Sequence, residues 1–175
     1  MTTKITCTIK GISPILMHRF PLDPVEGIAK MSPEQQAEIA SYRDEATKQL
    51  YIPAMNLQRA LVSAARFSKG KGRGSLQTEV CACVFVSPES LMLGVTKFVV
   101  DRRSVVVPAT KGRIVAYRPR LDQWQVTFDL EYDHTLLSEK QIRKIVDDAG
   151  SRIGVLDFRP EKKGPFGRFV VTNWK

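Results

Sequence analysis

The segment KKGPFGRF, residues 162–169, has a composition suited to binding phosphate. Glycines let backbone N–H groups approach an anion without interference from Cβ, and basic side chains add positive charge. An ordinary tight turn that closes a sheet has the same local pattern. Phe166, between the glycines, is also a candidate for stacking on a base. The candidate contacts in this segment are Lys162, Lys163, Gly164, Phe166, Gly167 and Arg168.

A second candidate site is the loop SKGKGRGSL, residues 68–76, which we call the cationic loop. Three glycines alternate there with Lys69, Lys71 and Arg73. A loop of this kind can wrap a phosphate backbone without recognising base sequence. A solvated surface loop has the same composition, and the two interpretations are compatible because such loops often become ordered on binding.

The positive charge of the chain is concentrated in its middle third. The net charge is +9, and residues 53–120 contain twelve basic and three acidic residues, whereas the two signs are equal in number on either side. A segregated excess indicates a surface for a polyanion. Tyr117 and Trp124 lie near these cations and are candidates for stacking on bases, although Trp124 suits a core equally well. The predicted contacts here are Arg59, Arg66, Arg102, Arg103, Lys111, Arg113, Arg118 and Arg120. His18 and Arg19, outside this third of the chain, are also predicted contacts.

Few residues suggest catalysis. His18 follows the first predicted strand, and acid–base cleavage of RNA would need it beside a second proton-transfer group and a cation, for which the adjacent Arg19 is a candidate. The spacing of Cys81 and Cys83 does not match a zinc site, and the histidines are far from both. No phosphate-binding P-loop, nucleophile elbow or dinucleotide fingerprint is present in the sequence. We therefore expect no metal and no cofactor.

The periodicity of the sequence predicts a single α+β domain over residues 1–175. Alternating apolar residues predict strands, and stripes with a period near 3.6 predict helices. Asn56 is predicted to cap the first core helix and Gly150 to end the second. Two additions are expected: an inserted arm at about 21–50, with a short helix capped by Ser32, and a β-hairpin at about 108–133. Without these additions, the core elements are the strands 4–10, 78–86 and 168–174, the short extended pieces 97–101 and 104–108 around Arg102-Arg103, and the helices 55–67 and 138–150.

The order of these core elements matches the βαββαβ pattern of the ferredoxin-like, or RRM-like, fold. That arrangement is an antiparallel sheet with two helices on one face, which leaves the other face free for a ligand. In the hairpin, residues 113–118 are predicted to pair with residues 123–133 through the turn Pro119–Asp122.

The segments YIPAMNLQRALVSAARF (51–67) and GSRIGVLDFRPEKKGPFGRF (150–169) resemble motifs of the RAMP superfamily of CRISPR-associated proteins. Members of that family often have an Ile-Pro segment leading into the first helix and a glycine-rich loop beside the last strand. The layout is most similar to the backbone subunits that polymerise along guide RNA in antiviral complexes. The resemblance leaves open a stand-alone or phage-encoded relative, so it does not imply a CRISPR role.

The resemblance implies binding of single-stranded RNA, with Asn56, Arg59 and Arg66 near the strand and the arm in the position of an element that reaches a neighbouring subunit. It also makes Asp23 a weak catalytic candidate, because RNA-cutting members have an aspartate in the loop after the first strand. A catalytic His18 is implied in the same way by metal-free endoribonucleases of the family.

We therefore expect a cytoplasmic, non-catalytic protein that binds single-stranded, guide-like RNA by backbone contacts in a basic groove, as part of a ribonucleoprotein assembly with copies of itself or other subunits. The alternatives are a metal-independent endoribonuclease that uses His18, a single-stranded DNA-binding phage protein, and a structural or inhibitory protein that docks onto a nucleic-acid machine.

Overall fold

The chain forms an α+β structure of antiparallel sheets and helices, and a computed structural model describes residues 1–70, Gly72, 74–107 and 109–175. Lys71 and Arg73 of the cationic loop lie outside the described residues. The strands are β1 (Thr2–Gly11), β2 (Ile15–Leu16), β3 (Tyr51–Pro53), β4 (Val84–Ser87), β5 (Ser90–Met92), β6 (Val99–Val106), β7 (Arg113–Leu121), β8 (Gln125–Asp133) and β9 (Phe169–Trp174). The helices are α1 (Pro33–Ile39), α2 (Ala54–Ala64), α3 (Gln77–Cys83) and α4 (Glu139–Asp148).

The main sheet has the strand order β4-β8-β1-β9. β1 and β8 are antiparallel, and their register pairs Ile5 with Leu130 and Cys7 with Phe128. Because side chains alternate across a strand, these apolar residues share one face. They form one core cluster with buried residues of α2 and α4, so both helices cover the same side of the sheet.

The two core helices form where their apolar periodicity predicts them. α2 buries Leu57 and Leu61 with the alanines Ala54, Ala60 and Ala64, and its last turn continues as a 3-10 turn. α4 begins at Ser138, which forms a reciprocal capping box with Gln141 and satisfies amides that the first turn leaves free. Within the described ranges, none of the helices has the length and apolar character needed to cross a membrane.

Gly150 does not end α4, contrary to the prediction. The chain continues through a π-helical turn, Ala149–Ile153, and changes direction at Gly154, where φ is +75°. A Cβ on Gly150 would overlap the carbonyl oxygen of Phe169, so this glycine is needed for close packing against β9.

The predicted hairpin is wrong in its pairing. β7 pairs with β6 over its length and with the short strand β2, forming a second sheet of order β2-β7-β6, whereas β8 belongs to the main sheet. The reason is burial: β8 carries an apolar face that the helices cover, while most of β7 is exposed or half-buried. We refer to β6–β7, residues 99–121, as the hairpin.

The strand predicted over residues 78–86 is helical in its first part. α3 buries Val80 and Cys83, three residues apart on one face, and leaves Cys81 exposed; the strand β4 begins only at Val84. The inserted arm contains α1, capped by Ser32 as predicted, and α1 packs on β7.

Candidate nucleic-acid interface

The free face of the main sheet is unsuited to anions. Lys4 and Lys10 of β1 lie there with three carboxylates of β8, because the register pairs Lys4 with Glu131 and Thr6 with Asp129. Lys4 forms an ion pair of 2.9 Å with Asp129, and the Thr6 hydroxyl donates to the same carboxylate at 2.7 Å. The face that was expected to be free for a ligand is therefore exposed but carries no positive excess.

The glycine loop, residues 154–167, uses its backbone amides within the fold. Gly164 N–H donates to Arg159 O at 3.0 Å, Gly167 N–H donates to Pro14 O at 2.8 Å, and Phe166 N–H donates to Phe158 O at 3.2 Å. A Cβ on Gly164 would overlap the carbonyl of Phe158. The glycines thus permit close packing of the loop on itself, and in this structure the amides of Gly164 and Gly167 are not free to bind phosphate.

Phe166 cannot stack on a base in this structure, because only 5% of it is exposed. Its ring lies 4.7 Å from the guanidinium of Arg103, a cation–π contact that joins the glycine loop to the hairpin. Arg103 also donates to Asp101 of the same strand at 2.6 Å. Phe166 and Arg103 therefore act as a structural clamp, which is a correction to their predicted role in binding.

Three of the hairpin cations are neutralised by carboxylates. Besides Arg103, Arg118 Nη1 lies 2.6 Å from Asp157 of the glycine loop, and Arg120 lies 2.8 Å from Asp122. Asp101, which is only 5% exposed, serves both Arg103 and Arg120. These arginines hold the hairpin against the loop and contribute little net charge.

The other hairpin cations are exposed and project from the opposite face. The register pairs Arg102 with Tyr117 and Val106 with Arg113, so both arginines share one face with Tyr117. Lys111 lies in the exposed turn between the strands. None of these three cations has a carboxylate within 4.0 Å among the residues that the structure describes. Trp124, the other stacking candidate, is buried and donates to Ser13 O.

The exposed face of α2 brings a second group of predicted residues together with the glycine loop. Arg59, Ser63 and Arg66 lie along it, and Glu161 of the loop is held against it. Burial opposes ionisation of Glu161, but hydrogen bonds from Ser63 and Arg159 outweigh that effect and lower its pKa. The guanidinium of Arg66 also lies 5.0 Å from the ring of Phe67.

Asn56 has a different role from the predicted helix cap. Pro53 occupies the N-cap position of α2 without a side-chain hydrogen bond. The side-chain oxygen of Asn56 instead accepts a hydrogen bond of 2.8 Å from the backbone N–H of Leu156. This contact fastens the glycine loop to the beginning of α2.

The remaining predicted cations are exposed at the loops. Lys69 stands at the base of the cationic loop, where its backbone forms a bridge with Ser75. Lys162 and Lys163 are exposed at the 3-10 turn Pro160–Lys162 of the glycine loop. The exposed Arg168 follows this loop, and its N–H donates to the Ser13 hydroxyl at 2.9 Å.

His18 lines a small polar cavity of about 150 Å³. His18 Nδ1 lies 3.8 Å from Asp157 Oδ2, and Arg118 competes for the same carboxylate. Burial lowers the pKa of His18, Arg118 lowers it further, and Asp157 opposes the change. The cavity is lined by His18, Tyr42, Asn56, Leu156, Asp157 and Arg159.

The residues Arg19 and Asp23 do not join this cavity. The side chain of Arg19 is exposed and lines a separate depression beside Arg43 and Tyr51. Asp23 is exposed in the arm, with no ion-pair partner among the described residues. Asp157 and Arg159 are not among the site residues predicted from the sequence, although both lie in the segment LDFRP just before the candidate glycines Gly164 and Gly167.

We expect folding stability to fall between about pH 7 and pH 5 in part because of His18. Its pKa is 6.5 in an unconstrained chain and lower in the folded protein, so below pH 6.5 the unfolded state binds the proton more readily. The His18→Gln variant should lose less stability over this range than the unchanged protein. Urea unfolding at a series of pH values measures the difference, and equal pH dependence in both proteins would contradict the assignment.

Comparison with known proteins gives no family. No protein-family model matches the chain, and no curated protein is significantly similar to it in sequence. Groups of three or more His, Cys, Asp or Glu side chains that could hold a metal ion are absent from the described residues. What the described residues bring together is α2, the glycine loop and the hairpin.

Proposed function

We propose that this chain binds single-stranded RNA through its phosphate backbone, without cleaving it, as a subunit of a ribonucleoprotein assembly. The observation that carries the proposal is the position of the glycine loop between two cationic elements. It contacts the hairpin through Asp157 and Phe166, and α2 through Leu156 and Glu161. Exposed cations without a carboxylate within 4.0 Å among the described residues lie on all three elements: Arg59, Arg66, Arg102, Lys111, Arg113, Lys162 and Lys163.

We infer that the main sheet with α2 and α4 is a ferredoxin-like unit and that the chain is a relative of RAMP proteins. The strand order β4-β8-β1-β9, with α2 and α4 on one face, supports the first inference. The arm and the hairpin are the additions to this unit. Phe20 and Leu22 of the arm are 82% and 90% exposed, which is consistent with contacts to another subunit.

The test is the salt dependence of binding to a single-stranded RNA oligonucleotide, measured by fluorescence anisotropy. Each phosphate neutralised contributes about −0.7 to the slope of log affinity against log salt. The Arg59→Ala/Arg66→Ala variant should therefore have a slope shallower by roughly 1.4 if each arginine meets one phosphate. Its affinity at low salt should fall about tenfold or more.

The matched control removes the same charge from the free face of the sheet. Lys4→Ala/Lys10→Ala should bind with an almost unchanged slope, because this face carries no positive excess. Equal losses in the two variants would mean that only net charge matters and would overturn the proposed surface. Equal affinity for the corresponding DNA oligonucleotide would favour the single-stranded DNA alternative, and no binding of either would refute nucleic-acid binding.

The cavity at His18 favours a second candidate, metal-independent cleavage of RNA. A neutral His18 can accept the proton of a 2′-OH whose oxygen forms a bond to the adjacent phosphorus. The bond from phosphorus to the 5′-oxygen then breaks, the 5′-oxygen takes a proton from the imidazolium, and a 2′,3′-cyclic phosphate remains. Arg159 lines the cavity and Arg118 contacts Asp157 beside it, but each is paired with a carboxylate, so stabilising the added negative charge requires that one of them exchange this partner for the phosphate. Labelled RNA should then be cut by the unchanged protein and not by His18→Ala, with cyclic phosphate ends; intact RNA in both samples excludes this candidate.

A further inference from the structure

An apolar groove runs beside the proposed RNA surface, between α2 and the edge strand β4. It has a volume of about 610 Å³. Met55 and Phe85 line it and are 66% and 59% exposed, an unusual exposure for large apolar side chains. Because the register pairs Phe85 with Glu131, the Phe85 ring lies at the rim of the groove, on the side of β4 that faces away from α2. The other lining residues are Ala54, Gln58, Arg59, Val62, Ser63, Cys81, Val86 and Arg159.

The charge around the groove matches a nucleic acid. Arg59 lines it without a carboxylate within 4.0 Å among the described residues, whereas Arg159, which also lines it, is paired with Glu161 at 2.8 Å. Arg59 and Ser63 also belong to the exposed face of α2 that we assign to the phosphate backbone. A single strand offers flat apolar bases attached to an anionic backbone, and bases bind apolar and aromatic side chains by stacking. A strand whose phosphates follow α2 therefore has its bases within reach of Met55 and Phe85.

The edge of β4 supplies polar groups at the same place. β4 pairs with β8 on one side only, and Gln58 Nε2 donates to the outward-facing Val84 O at 2.6 Å. Because outward-facing groups alternate along an antiparallel strand, the N–H and C=O of Val86 face the same way. The Oε1 atom of Gln58 is buried and has no hydrogen-bond partner among the described residues. The N–H and C=O of Val86 are the kind of donor and acceptor that the edge of a base requires.

We propose that this groove accepts a nucleobase of the bound strand, with its ring against Met55 and Phe85 and its neighbouring phosphate on Arg59. This inference rests on the proposed function and adds that binding includes base stacking as well as backbone contacts.

The experiment compares an RNA oligonucleotide with the same oligonucleotide made abasic. Base stacking is worth enough per base that Phe85→Ala should weaken binding of the normal oligonucleotide by about five- to tenfold. The variant should bind the abasic oligonucleotide as well as the unchanged protein does. The Phe85 side chain is largely exposed, so its substitution leaves the core intact, and thermal unfolding of the variant checks this. Val170→Ala, on the free face of the sheet, is the matched control and should bind both oligonucleotides normally.

The outcomes separate the inference from the proposed function. If the salt slope is steep and Phe85→Ala binds both oligonucleotides equally more weakly, or binds both as well as the unchanged protein does, the groove is not a base site. Backbone binding then still stands. A drop in oligomer mass for Phe85→Ala by sedimentation, without a base-dependent loss, assigns the groove to a second copy of the chain and also overturns it. Failure of the unchanged protein to bind either oligonucleotide refutes the proposed function and the inference with it.

Discussion

Replacing Gly167 by alanine is expected to lower the free energy of unfolding by about 4 kcal/mol. Gly167 has a φ of +76°, and a Cβ there would overlap the carbonyl oxygen of Val155 and lie 2.8 Å from its nitrogen. The left-handed conformation alone costs an L-residue about 1 kcal/mol. Relief of the overlap requires movement of the backbone, since no flexible side chain can give way. That movement also strains the bonds from Val155 N–H to Gly167 O and from Gly167 N–H to Pro14 O.

Gly94→Ala is the matched control for this prediction. Gly94 has a φ of +70° but no atom within 4 Å of the added Cβ, so its substitution should cost only about 1 kcal/mol. Urea unfolding followed by circular dichroism gives both values. Similar losses in the two variants would show that Gly167 is required for its conformation alone, and that the glycine loop is not tightly packed.

The glycine loop has a different role from the one that its composition suggested. Its composition predicted a loop and suggested phosphate binding, but composition does not reveal what the backbone amides contact. Gly164 and Gly167 donate to carbonyls at Arg159 and Pro14, and the second of these is distant in the sequence. The segment is thus a structural bridge between α2 and the hairpin, and the candidate RNA contacts are the basic side chains on its outer surface.

The elements that the sequence predicted correctly are those whose signals are local. α4 has both an apolar stripe and a capping box at Ser138, and α2 has a stripe that continues for three turns. β1 alternates over most of its length, with Ile5, Cys7 and Ile9 buried. In each case one period fits the whole segment, so no tertiary contact was needed to decide between helix and strand.

The wrong predictions are in segments whose secondary structure or strand pairing is determined by tertiary contacts. In residues 77–83 the Val and Cys residues favour a strand, yet Val80 and Cys83 are buried on one helical face. Two alternating runs joined by a tight turn predicted that residues 113–118 pair with residues 123–133, but strand pairing depends on which strand faces must be buried. The sequence predicted two short extended pieces, 97–101 and 104–108, around Arg102-Arg103, but β6 is one continuous strand opposite β7.

Charge clustering defines only part of the proposed RNA surface. The segregated excess lies on the hairpin and on α2, which are the elements that flank the glycine loop. Clustering does not identify which cations have partners, because Asp157 reaches Arg118 from a segment 39 positions away. Ion pairing removes Arg103, Arg118 and Arg120 from the candidate contacts and leaves Arg102 and Arg113 on the opposite face.

The Asp157→Ala variant is expected to lose about 3 kcal/mol of folding free energy. The Arg118 side chain is only 12% exposed and lies 2.6 Å from Asp157 Oδ2, so the substitution leaves a largely buried guanidinium without its carboxylate. Removing one partner of such a pair lowers the folding stability by more than the intact pair contributes, because the remaining charge stays desolvated. The loss should also loosen the glycine loop from the hairpin and weaken RNA binding.

A double substitution tests this reasoning directly. Asp157→Ala/Arg118→Met removes both charges and leaves an apolar side chain of similar length, so most of the lost stability should return. Urea unfolding of the two single variants and the double variant gives the coupling energy between the residues. If the double variant is as unstable as the sum of the single ones, the two side chains act independently, and the loop is held to the hairpin by Arg103 and Phe166 instead. Recovery of stability without recovery of RNA binding would show that the Arg118–Asp157 pair also sets the position of the loop on which the proposed phosphate contacts lie.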